Sequence, residues 1–477
     1  MMFAPGDNCW RVERATRGSV IVDAEDYFRV ARTAMREARQ RIMLVGWDFD
    51  ARIALGDADD GGPDTVGEFI LWLVQRNPEL DIYLLRWNMG AVKTLFRGRT
   101  WFTVLRWMRH PRIHTKLDGA HPAAGSHHQK IVVIDDCFAF CGGIDMTAAR
   151  WDTRAHADDD PGRVWPHGGP YAPWHDATSA LEGPVAAALG DLCRTRWAHA
   201  GGKRLDAITG PGECWPTGLP VEFRDIDIAI ARSAPAMPDR EPIREIETLY
   251  LAMIARAQRF IYAESQYFAS RRVAKAIARR LDEPDGPEIV IVNPTTAQGW
   301  LEPIAMDSAR ARLMEALRRR DTHGRLRMYH PFTQRGEAIY VHAKVMIVDD
   351  EMLRVGSSNL NNRSMRLDTE CDIVIEAVGD AVAGASVRER IAAIRLGLIA
   401  EHLACDVATL DPDAPMIATI ERLRGAGNRL RPYEVPDLSA VDAWLADNEV
   451  LDPEGPEEMF ESLTKRSLFR RLRRLPA

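Results

Sequence analysis

Residues 126–145 read SHHQKIVVIDDCFAFCGGID, and their pattern returns at residues 341–360 as VHAKVMIVDDEMLRVGSSNL. His128, Lys130, Asp135, Gly142, Gly143 and Asp145 face His342, Lys344, Asp349, Gly356, Ser357 and Asn359, every pair displaced by the same 214 residues (128 to 342). A lone H-x-K-x4-D should arise by accident in roughly one such chain in twenty; two in register with matching tails should not. His114 and Lys116 show the difference, since the position that should hold Asp is His121. A polar trio kept twice points to chemistry, because packing has no need of the same imidazole and ammonium in both places. The repeat therefore requires a chain of two like halves that bring their motifs together.

Each copy reads as strand, turn, strand. Ile131–Ile134 is a short β-branched run ending in Asp-Asp, and VMIVDD matches it, as expected of a buried strand. Residues i and i+2 of a strand share a face, so His128 points with Lys130, and His342 with Lys344. The Gly-Gly and Gly-Ser pairs suit close backbone approach to a ligand or a neighbouring strand. Around the motifs the order of strand and helix is that of an α/β protein. A strand at Gly18–Ala24 precedes a helix with Tyr27, Phe28, Ala31, Ala34, Met35 and Ala38 on one face; DIDIAI and the segment from Ile243 to Gln258 repeat this opening. A Gly- and Pro-rich crossing separates the halves. The expected organisation is a first domain at 1–200, a linker at 201–220, a second domain at 221–405 and an extension at 406–477.

The doubled motif with its G-[GS]-x-[ND] tail resembles the phospholipase D superfamily. RIMLVGWDFD (41–50), IYAESQYF (261–268), RWD (150–152), PWHD (173–176), NLNNRS (359–364) and LDTECD (367–372) agree with the habits of that family. The resemblance implies two similar α/β/α sandwich domains with mixed central sheets, a pseudo-dimer with one active site between its halves. It implies a phosphodiesterase that works through a phosphohistidine: His128 as nucleophile, His342 as general acid, and Lys130, Lys344 and Asn359 around the non-bridging oxygens. Asp145 and Ser357 join the substrate-binding set. Asp135 and Asp349 complete the motifs and are expected to end their strands, bonding away from the cleft. Each imidazole needs an acceptor on its second nitrogen; the repeat alignment and the resemblance point to Glu370 for His342 and Asp176 for His128. The lysines carry the charge that a metal carries in many phosphodiesterases, so neither a metal site nor a cofactor is expected, and activity should survive chelation. Phospholipid is the expected substrate, with hydrolysis or transphosphatidylation as the outcome. The alternatives are a phosphatidyltransferase of the cardiolipin-synthase kind, a superfamily nuclease and a non-catalytic lipid-binding scaffold. A monomer with an internal pseudo-two-fold follows.

Composition sets the outer bounds. A net charge of −7 excludes a generic polyanion-binding surface, so no nucleic-acid partner is expected and any basic site must be local. Seven cysteines without C-x-x-C spacing argue against a disulfide framework and for a reducing compartment; Cys137 and Cys141 are expected on one buried strand face. No signal-peptide pattern and no apolar run long enough to span a membrane are present, which places the chain in the cytoplasm or at the cytoplasmic membrane face. Two basic segments qualify for anionic lipid: Val92–His110, with interleaved aromatic residues, and KRSLFRRLRRLPA (465–477). Asp176 and Glu182 align with Glu370 and Glu376 at a displacement of 194, so the first half carries 20 more residues than the second. That insertion, with Trp165, Tyr171 and Trp174, is a candidate lid.

Overall fold

The structure, a computed structural model, describes residues 2–56, 60–88, 100–122, 124–210, 212–297, 302–378, 381–425 and 429–436. The first half contributes β1 (Arg11–Val22), α1 (Ala24–Glu37), β2 (Arg41–Gly46), α2 (Val66–Arg76), β3 (Asp81–Trp87), α3 (Thr100–Arg109), β4 (Ile113–Asp118), β5 (Ile131–Ile134), β6 (Phe138–Gly142), β7 (Trp174–His175), β8 (Ala177–Glu182) and α4 (Pro184–His199). The second contributes β9 (Phe223–Ala234), β10 (Ile243–Arg244), α5 (Glu245–Arg256), β11 (Phe260–Glu264), α6 (Arg271–Leu281), β12 (Glu288–Val292), α7 (Glu302–Arg320), β13 (Leu326–Pro331), β14 (Tyr340–Val341), β15 (Val345–Val348), β16 (Met352–Gly356), α8 (Asn362–Arg366), β17 (Glu370–Glu376) and α9 (Ala381–Leu403). Beyond them lie α10 (Met416–Leu423) and β18 (Leu430–Pro432).

The strand order β4-β3-β2-β5-β6-β8-β1 is mirrored by β9-β17-β16-β15-β11-β12-β13, with β18 added at the far edge. The two runs meet where β1 and β9 pair antiparallel, from Arg11 opposite Ile230 to Gly18 opposite Phe223. One mixed sheet thus crosses the whole protein, folded about a pseudo-two-fold at its middle.

Alternation along the motif strands builds three layers. Ile131 and Val133, with Val345 and Ile347, face a core shared by both halves under α4 and α9, where Leu189 and Trp197 meet Ile391 and Leu398. Val132 and Ile134 face the opposite way, toward α1 and α2 through Phe28, Met35, Phe69 and Ile70. Met346 and Val348 do the same toward α5 and α6. Strands buried on both faces read as continuous apolar runs, which is why the motif strands carry no polar alternation.

Two sequence expectations change here. Cys137 stands in the β5–β6 turn, not on a strand, and forms a disulfide with Cys214 of the crossing segment, 77 residues away with Cα atoms 6.1 Å apart. The partner comes from an irregular segment, so no spacing rule announces it. The inserted stretch is pinned to the body: Arg163 bonds Asp152, the Tyr171 hydroxyl donates to Trp151 O at 2.8 Å, and Trp174 is buried. It is a packed wall of the site. Residues 92–99 of the first basic segment and the whole of 465–477 lie outside the described residues. Among the described residues no helix is long and apolar enough to cross a membrane.

Candidate active site

Two short parallel bridges across the pseudo-two-fold build the site. Tyr340 and Val341 of β14 lie beside Trp174 and His175 of β7, and His127 bridges Thr369 in the equivalent place. His342 N–H donates to His175 O at 2.7 Å, and His128 N–H to Thr369 O at 3.0 Å. Each motif histidine is therefore laid beside the carboxylate that follows its bridge partner. His342 Nδ1 lies 2.6 Å from Asp176 Oδ2, and His128 Nδ1 lies 3.0 and 2.9 Å from the two oxygens of Glu370. This reverses the expected pairing. The alignment ranks the carboxylates correctly within each half, but the bridges join opposite halves, so each imidazole takes its acceptor from across the seam.

The lysines enter from the strand face shared with the histidines. Lys130 Nζ donates to His128 O at 3.2 Å and pairs with Asp145 at 3.1 Å. Lys344 donates to His342 O and lies 3.4 Å from Gln266 Oε1. At the Asp145 position the second half has Asn359, whose Nδ2 is 3.5 Å from the same Gln266 oxygen. Lys130 thus has a carboxylate partner, and Lys344 has amide and carbonyl partners.

The remaining motif residues hold the frame. Asp135 accepts from the N–H groups of Arg39, Gln40 and Arg41 at 2.7, 2.8 and 2.7 Å; Asp349 does so for Gln258, Arg259 and Phe260 at 2.6, 2.8 and 2.8 Å. Both aspartates lie in tight hairpin turns with positive φ, 51° and 55°, and stitch each motif strand to its neighbour instead of facing the histidines. Ser357, expected among the substrate contacts, spends its hydroxyl on Glu370 Oε2 at 2.5 Å. Asp145 also accepts from Trp47 N–H at 3.0 Å. The glycines serve strand approach: a Cβ on Gly142 would lie 2.4 Å from Thr178 Cα, and one on Gly143 would lie 2.1 Å from Asp176 Oδ1.

Burial, then the nearby lysines, hold His128 and His342 well below the ordinary histidine range. Burial pushes Glu370 up to about 8 and Lys344 down to about 7, and it raises Asp176. With each Nδ1 tied to a carboxylate, each Nε2 is left for chemistry, between cations suited to an anionic substrate.

Sequence reading missed several neighbours. Gln266 lies in a segment quoted only for its resemblance; its place in the repeat, equivalent to Trp47, is the signal that marks it. Arg150 likewise carried no role, and Trp174, expected in a lid, instead lies stacked on Tyr340 and beside His342. Behind the β7–β14 bridge, donor atoms of Asp23, His156, His175 and Glu401 lie within 4.8 Å of one another, against the expectation of no metal-ligand cluster. His175 Nδ1 is 2.7 Å from Glu401 and 3.3 Å from Asp23. Against the cost of burial, Glu264, Glu401 and Asp23 hold His175 well above the ordinary histidine range, and Asp23 leads in raising His156 to about 9, so the cluster is a network of buried ion pairs. Its members come from four separate segments, which no linear spacing shows.

A two-fold site of paired His, Lys and carboxylate on a continuous mixed sheet defines a protein class, and comparison with known proteins agrees. The family model described as phospholipase D matches residues 34–212 and 311–443, and the chain belongs to the phospholipase D family. It is 27% identical to phospholipase D alpha 1 of Carica papaya over 523 residues and 27% identical to phospholipase D alpha 1 of Arabidopsis thaliana over 526. Each match covers 80% of this chain, and the chain spans 64% of the length of each relative. Among solved structures, phosphatidylserine synthase from Haemophilus influenzae Rd KW20 matches with a TM-score of 0.55 at 15% identity, covering 97% of this chain and 96% of that one. That likeness concerns the fold.

Proposed function

We propose that the chain is a phospholipid phosphodiesterase of the phospholipase D type, using a phosphohistidine intermediate. The observation that carries this reading is the pair of imidazoles, each bonded through Nδ1 to a buried carboxylate of the opposite half, with a lysine beside each. His128 Nε2 attacks phosphorus, a P–N bond forms, the P–O bond to the head group breaks, and His342 gives its Nε2 proton to the departing alkoxide. His342 then takes a proton from water or an alcohol, whose oxygen displaces His128. Two features support these roles. The His128 side chain is the more open, 16% exposed against 7% for His342, as a nucleophile that must reach phosphorus requires. His342 has the shorter carboxylate bond, which favours its protonated form. Lys130 and Lys344 hold the non-bridging oxygens, with Asn359 beside them. The basic stretch 465–477 is a proposed contact with anionic lipid.

The purified chain should release phosphatidic acid from phosphatidylcholine vesicles, and phosphatidylethanol when ethanol is present. Nicked DNA without lipid products would sink the lipid reading. For the roles, His128→Asn should abolish phosphoenzyme formation. His342→Asn should still trap a labelled adduct when the leaving group needs little protonation. Peptide mapping should find that label on His128; label on His342 in the His128→Asn protein would reverse the assignment.

A further inference from the structure

The pseudo-two-fold fails at one charged position in the site. Arg150 follows Ala149, whose φ of 60° turns the chain inward, and its guanidinium lies 3.9 Å from the centre of the Trp174 ring. That ring is buried, stacked on Tyr340 at 4.7 Å and only 5.1 Å from the His342 ring. Arg150 therefore presents its charge on the His342 side of the cleft. At the equivalent position the second half has Ser364, a neutral residue whose Oγ accepts from Asn359 N–H at 3.0 Å.

Charge compensation is just as uneven. Lys130 is paired with Asp145. Lys344 has no such carboxylate, because Asn359 stands in the corresponding place. Arg150 donates only to the carbonyl of its neighbour Ala149, at 3.1 Å, and its Nε is buried without a hydrogen-bond partner. Among the described residues no carboxylate forms an ion pair with it. Burial lowers the pKa of this half-buried arginine against the pull of Asp145, Asp176 and Asp48, which act on it only through the field, without an ion-pair contact. A planar fork of donors lying on an aromatic ring keeps its edge for a ligand, and a phosphoryl group fits that edge.

We propose that Arg150 is a substrate-binding residue: with Lys344 it holds a non-bridging oxygen of the phosphodiester on the His342 side, a role the second repeat does not duplicate. This rests on the reading of the site as one that cleaves phosphodiesters. It also gives the symmetric site a direction. After burial, Lys344 and Arg150 are the leading charges that hold His342 below the ordinary histidine range. An anion seated between them offsets that field, so the acid gains its proton when substrate is present.

The test uses the full chain with Arg150→Gln and Arg150→Lys, with phosphatidylcholine vesicles as substrate and inorganic phosphate as inhibitor. Arg150→Gln should raise KM and the phosphate inhibition constant about tenfold or more, with Arg150→Lys between it and the parent, because a point charge replaces the fork. Melting temperature is read alongside. A structural brace for Trp174 would lower melting temperature and kcat and leave phosphate inhibition unchanged, and that result overturns the proposal. If Arg150→Gln does not fold, a phosphate constant in Arg150→Lys equal to the parent's also overturns it. Calorimetric titration with phosphate separates the two readings. A parent that cleaves no lipid yet loses phosphate binding on Arg150→Gln refutes the phospholipase reading and leaves the anion site standing.

Discussion

At the scale of single residues, the buried ammonium of Lys344 links pH to binding. Burial, with Lys130 and Arg150 adding to it, brings its proton loss down to about 7 against the pull of Asp176 and Glu370. A bound phosphodiester favours the charged lysine and moves that loss to higher pH. Because kcat/KM reports the free protein and kcat the complex, kcat/KM should fall as pH rises through about 7 while kcat stays level further into the alkaline range. Rates on phosphatidylcholine vesicles at constant ionic strength check this. Alkaline limbs that coincide would remove Lys344 from phosphate binding. The motif residues were legible because chemistry keeps His, Lys and Asp at fixed offsets on one strand. The pairing of His128 with Glu370 was not. The offsets within each half are the same whichever way the bridges run, and only the parallel contact of β14 with β7 chooses between them. Arg150 was hidden for the opposite reason: its counterpart is a serine, so a search for matched residues passes over it.

The hairpins and their ties operate at the scale of elements. The β5–β6 turn carries Asp135, which ties it to β2, and Cys137, which ties it to Cys214 in the segment crossing between halves. A link across 77 residues restricts the unfolded chain by up to about 4.5 kcal/mol. Cys137→Ser should therefore lose about 2–4 kcal/mol in urea unfolding, and the parent under reducing conditions should match it. Equal midpoints for parent and variant without reductant would show that the bond contributes nothing. The strands of the repeat were readable from β-branched runs that end in Asp-Asp. The disulfide was not, because one of its cysteines lies where no periodicity operates. The insertion was located correctly by the change of displacement from 214 to 194. Its role as a wall depended on Arg163, Tyr171 and Trp174 finding partners, which length alone does not foretell.

For the whole molecule, β1 and β9 make one sheet of two halves, and neither half contains a complete histidine pair. Residues 1–210 and 211–477, made separately, should each be inactive on phosphatidylcholine, and mixing or co-expressing them should restore phosphatidic acid release. Activity in one half alone would contradict the crossed pairing. The same crossing acts as a clock during synthesis. Glu370 lies 242 residues beyond His128, which at ordinary translation rates is about 10–50 s of further elongation. Through that interval the first half, still on the ribosome, carries His128 without the carboxylate that holds its Nδ1. The proposed phosphodiesterase activity therefore has to wait until β17 has been made and seated, so that the catalyst certifies its own completion.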